Sequence, residues 1–86
     1  LSDGAAAVLL CSEEWAAEHN LPIQAYLTTG RSSSVDFVND EGLLMAPTVA
    51  VAEMLQRTGL ELQDFDFYEI HEAFAAQVLC TLKVWE

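Results

Sequence analysis

His71 and Glu72 stand side by side in "FYEIHEAFAAQ", residues 67–77, after an apolar run and just before alanines that open a helical pattern. An imidazole and a carboxylate at the carboxyl end of a strand, where a helix begins, occupy the edge at which open α/β sheets bind ligands. At a helix start the free amide N–H groups and the dipole favour negative charge, so His71 is expected to stay neutral and to offer an N–H as a donor. A neutral donor facing a water-poor pocket suits a developing oxyanion. The competing reading is a surface histidine followed by a first-turn acid, and these residues alone leave both open.

Other chemistry-bearing groups are weaker. Glu69 and His71 share a strand face and could begin a metal site, but no third and fourth ligand follow at a recognisable spacing, so no metal is expected. "GRSSS", residues 30–34, has the glycine, arginine and hydroxyls that could cradle a phosphate, yet it lacks the strand–loop–helix setting of a P-loop and reads as a flexible polar loop. "EGLLMAP", residues 41–47, sets Leu43, Leu44 and Met45 directly before a helix start. They could line a substrate tunnel or pack beneath the loop. Cys11 and Cys80 lie in apolar contexts with no CxxC spacing and are expected to be buried free thiols in a reducing compartment.

The elements that would position these groups follow from hydrophobic periodicity. "GAAAVLLC", residues 4–11, reads as a strand buried on both faces, and Ser12 is a good N-cap for "EEWAAEH", with Glu13 and Glu14 in the first turn and His19 and Asn20 closing the helix before Pro22. "IQAYLTT", residues 23–29, alternates as a strand does. Pro47 at a helix start, Val51, Met54, Leu55 and Thr58 along one face, and Gly59 past the end describe an amphipathic helix with both boundaries marked. "DFDFYEI", residues 64–70, has strand composition, and from His71 onward Phe74, Val78, Thr81, Leu82 and Trp85 form one helical stripe. The order strand, helix, strand, helix, strand, helix predicts an α/β layered fold with mostly parallel strands.

Composition bounds the function. The chain has 86 residues, 52% of them hydrophobic, which is more apolar material than a free-standing domain of this length needs and points to a piece of something larger. Fourteen carboxylates against three cations give a net charge of −11, which opposes contact with nucleic acid or anionic lipid. No signal-like segment or membrane-length apolar run is present in the sequence, so a cytoplasmic location is expected, with mitochondrial or peroxisomal placement open for a eukaryotic source.

"SDGAAAVLL", "EGLLMAP" with "AVAEMLQRTGL", and "LQDFDFYEIHEAFAAQVL", in this order and spacing, resemble the thiolases, in the branch where Asn-Glu-Ala-Phe becomes His-Glu-Ala-Phe. The resemblance covers essentially the whole chain. It implies a partial thiolase-like fold, with residues 1–20 as the last strand and helix of the N-terminal domain and residues 21–86 as the first half of the C-terminal domain. It implies acyl transfer between coenzyme A thioesters by ping-pong Claisen chemistry, cleaving 3-ketoacyl-CoA or condensing two acyl-CoAs in fatty acid metabolism. His71 then falls at the position that helps form the oxyanion hole, Glu72 supports the site, and Ala73 and Phe74 line the acyl and pantetheine pocket, with Leu43 and Met45 as further substrate-contact candidates. No cofactor is implied beyond the coenzyme A thioester substrate, and a homo-oligomer is expected.

The family's nucleophilic cysteine, its Gly-His-Pro segment and its Cys-x-Gly segment have no counterpart in these residues, so the chain alone is expected to be inactive. The alternative from another class is a small acidic carrier or interaction module. Acyl carriers share this length and charge but are helical and need an Asp-Ser-Leu-type attachment serine, which is missing here. Strand content would exclude the carrier fold.

Overall fold

A computed structural model describes residues 2–86. In chain order it contains helix α1 (Glu13–Glu18), a 3-10 turn (Phe37–Asn39), helix α2 (Ala46–Thr58), a second 3-10 turn (Leu62–Asp64) and helix α3 (Ala75–Trp85). Among the described residues there is no strand. The expected α/β layering is therefore corrected: the helices are present, but residues 4–11, 23–29 and 64–70 run without a β-ladder.

The physical reason lies in what a strand requires. Its amides and carbonyls are satisfied only by a neighbouring strand, and one buried on both faces needs a neighbour at each edge. The three apolar runs do not pair with one another. Val8 is 82% exposed, Leu27 79% and Phe67 88%. Apolar alternation thus reports where a segment is fit to be buried, and not whether the residues that would bury it are at hand.

The helices are set by local signals. Ser12 accepts a hydrogen bond from the Trp15 amide at 3.1 Å, with Glu13 and Glu14 in the first turn as the dipole favours. At the other end Asn20 takes the left-handed conformation (φ 53°), its N–H donating to Ala17 O at 3.1 Å while Leu21 N–H donates to Ala16 O at 2.9 Å. Those paired bonds are the Schellman closure, with Asn in the place usually held by Gly. The His19 ring stacks on Trp15, with centroids 3.8 Å apart.

Helix α2 carries Pro47 in its first turn and ends at Gly59 (φ 71°), whose N–H donates to Leu55 O at 2.9 Å. Met45, at its N-cap, makes no side-chain cap bond. Instead the buried Thr48 returns its hydroxyl to Met45 O at 2.7 Å.

Helix α3 starts at Ala75, four residues later than His71, where the sequence pattern placed its beginning. Glu72 and Ala73 are good helix formers, so propensity does not account for the delay. Phe74 is extended (φ −146°, ψ 138°) and no side chain caps the helix.

Helices α2 and α3 pack together over an apolar groove lined by Val51, Met54 and Leu55 of α2 with Phe65, Ile70 and Trp85. On the α3 stripe Thr81 is buried and Val78 and Trp85 are half-buried, while Phe74 and Leu82 remain exposed. Full burial is confined to Ala16, Thr48 and Thr81 among the described residues. The radius of gyration is 16.6 Å, against about 12 Å for a compact domain of this length. The accessible surface is 7800 Å², against about 5,000 Å² for a compact protein of this mass. The architecture is an open arrangement of helices and extended segments.

Candidate functional site

The segment that holds the candidate residues His71 and Glu72 runs from the second 3-10 turn to α3. Tyr68 donates its hydroxyl to Leu62 O and so ties the start of the segment back to that turn. Beyond Tyr68 the chain passes through Glu69, Ile70, His71 and Glu72, which together line an open depression. Glu72 also borders a second hollow formed with Ala75, Val78 and Leu79 on the first turns of α3. His71 and Glu72 are thus brought together beside the helix N-terminus. Both are exposed, and among the described residues neither side chain has a hydrogen-bond partner. The water-poor surroundings expected of an oxyanion donor are not formed by these residues.

Ala73 and Phe74 lie between His71 and α3, Phe74 with 66% of its surface exposed. Neither hollow includes them, and neither includes Leu43 or Met45. Leu43 is 67% exposed on the loop before α2, whereas Met45 is half-buried beside Gly42. A Cβ on Gly42, which sits at φ +83°, would fall 2.7 Å from Met45 Cγ. Within the loop before α2, Met45 is thus packed against the turn at Gly42 while Leu43 is open to solvent.

The first turn of α3 offers the electrostatics that the sequence implies. Gln77 N–H and Val78 N–H both donate to Phe74 O, at 3.1 and 3.3 Å. The amides of Ala75 and Ala76 precede them in the first turn, where no intrahelical acceptor exists. No acid or hydroxyl caps this end, so its partial positive charge has no side-chain partner.

The remaining candidates resolve differently. Arg31 forms an ion pair with Glu53 of α2, and Ser33 donates its hydroxyl to Ala46 O. The polar loop is fastened across the start of α2 and its arginine is already engaged. Just beyond it, Asp36 accepts from Asn39 Nδ2 at 2.6 Å and from Asn39 N–H at 3.3 Å, which lowers its carboxyl pKa. Tyr26 donates its hydroxyl to Glu13 at 2.8 Å, and that bond raises the phenol pKa.

The thiols require a correction. Cys11 and Cys80 are free, but both are exposed, because Cys11 sits in an unpaired segment and Cys80 on the open side of α3. Glu69 and His71 share the depression, and no group of three or more metal-ligating side chains occurs among the described residues.

Two structural contributors escaped the sequence reading. Thr48 holds the turn before α2, and a Thr early in a helix after Pro was the available signal. Arg31 and Glu53 lie 22 positions apart, and no spacing rule links them.

The family described as "Thiolase, C-terminal domain" matches residues 22–86. The chain belongs to the thiolase family. It is 42% identical over 85 residues to proteins named 3-ketoacyl-CoA thiolase from Yersinia pestis (strain Pestoides F) and Yersinia pseudotuberculosis serotype O:3 (strain YPIII), in matches covering 99% of this chain and 19% of each relative. The chain thus spans about a fifth of the length of these curated relatives. The resemblance read from "HEAFAAQ" and its flanking segments is borne out. Because the described residues contain no strand, strand content does not separate a thiolase from a helical carrier, and the family match does so instead. No helix among the described residues is long and apolar enough to cross a membrane.

Proposed function

We propose that this chain supplies the oxyanion segment and part of the acyl pocket of an enzyme that transfers acyl groups between coenzyme A thioesters, by cleaving a 3-ketoacyl-CoA or condensing two acyl-CoAs. The observation that carries this reading is His71-Glu72-Ala73-Phe74 set directly before the uncapped start of α3, in a chain 42% identical over 85 residues to proteins named 3-ketoacyl-CoA thiolase.

In this reading His71 donates an N–H to the thioester oxygen as negative charge grows on it in the enolate. The α3 dipole adds to that stabilisation, and the effect strengthens once the remainder of the enzyme excludes water from the depression. Glu72 supports the site. Ala73, Phe74, Leu43 and Met45 are contacts for the acyl and pantetheine chain. The substrate is a coenzyme A thioester and no further cofactor is invoked.

Residues 1–20 close the N-terminal thiolase domain and residues 21–86 open the C-terminal one, a division compatible with a family match that starts at residue 22. The nucleophile is a cysteine outside these residues, since neither Cys11 nor Cys80 lies in its motif. The enzyme is proposed to act in the cytoplasm, or in mitochondria or peroxisomes for a eukaryotic source, as a homo-oligomer. The exposed apolar groove and unpaired segments make the 86-residue chain itself prone to self-association, and sedimentation that finds only a monomer at high concentration would contradict this.

Replacing the matched 85 residues of the Yersinia pestis relative with this chain tests the assignment. The hybrid is expected to thiolyse acetoacetyl-CoA, while the 86-residue chain by itself does not and takes up no acyl group on either thiol, as read by intact mass. A folded hybrid without thiolysis, or an acyl adduct at Cys11 or Cys80, would overturn the proposal.

A further inference from the structure

We draw no further inference here: the strongest candidate, the apolar groove between α2 and α3 in which the buried Trp85 Nε1 has no hydrogen-bond partner, is an unpartnered face, and nothing in the structure shows what covers it.

Discussion

The stretch from Arg31 to Gly59 and the stretch from Phe65 to Phe74 are organised in opposite ways. The first is knitted by side chains: Arg31 to Glu53, Ser33 to Ala46 O, Asp36 to Asn39 and Thr48 to Met45 O, with α2 closed by a left-handed glycine. The second carries the proposed site residues, yet Tyr68 alone among its side chains is tied to the backbone, and His71, Glu72 and Phe74 face solvent. Local self-sufficiency and the proposed site are separated along this chain. Under the proposed function, the second segment keeps the site's residues in order along the backbone, while their chemical environment depends on residues outside this chain.

The contrast is sharpest in the hybrid enzyme. There His71→Ala should lower turnover by about 10² to 10³-fold, the usual cost of one lost oxyanion donor. Arg31→Ala removes only an ion pair between half-exposed side chains, worth about 0–1 kcal/mol, and should leave turnover close to that of the unsubstituted hybrid. Equal losses in the two variants would erase the proposed division of roles.

A smaller effect is expected at Gly42. Alanine there meets both a positive φ and the Met45 side chain, and should cost about 1–3 kcal/mol in the turn that leads into α2. Amide hydrogen exchange of the chain gives the measurement. Protection of the amides of residues 48–50 should fall, whereas residues 66–73, which lack regular structure, should exchange quickly before and after the change. Unchanged protection at the start of α2 would show that the contact does not organise this region.

The smallest effect concerns pH. Asp36 has a folded pKa lowered chiefly by its bond to the Asn39 side chain, so whatever it contributes is present above the ordinary carboxylate pKa and is lost as pH falls through the lowered value. Acid titration followed by the Asn39 amide resonances should show the turn at 36–39 loosening at pH below the ordinary carboxylate range, with Asp36→Asn abolishing the dependence. A turn that loosens at the same pH in both proteins would assign the transition to another group.

The boundaries of α1 and α2 were legible because they depend on neighbours in sequence, whereas the start of α3, four residues beyond His71, was not. Ser12, Asn20, Pro47 and Gly59 act within a turn of where they stand, and each does so in the structure. The strands were not legible as such. "GAAAVLL", "IQAYLTT" and "DFDFYEI" encode a fitness for burial, while a ladder depends on partners that no local pattern names. The thiols failed for the same reason, since apolar neighbours in sequence did not become neighbours in space. His71 and Glu72 could be singled out because their motif is contiguous. Leu43 and Met45 were not joined to them, because contact across nearly thirty positions rests on packing these residues do not complete.

The large accessible surface has a thermodynamic consequence. Unfolded, a chain of this mass exposes about 14,000 Å², so melting a structure that already shows 7800 Å² to water uncovers much less new area than melting a compact domain would. Both the denaturant slope and the heat-capacity increment scale with that difference. The 86-residue chain should therefore lose its helices over a wide span of urea concentration or temperature, with a shallow calorimetric signature in place of a sharp peak, and a steep transition should return only when the same residues sit inside the hybrid enzyme.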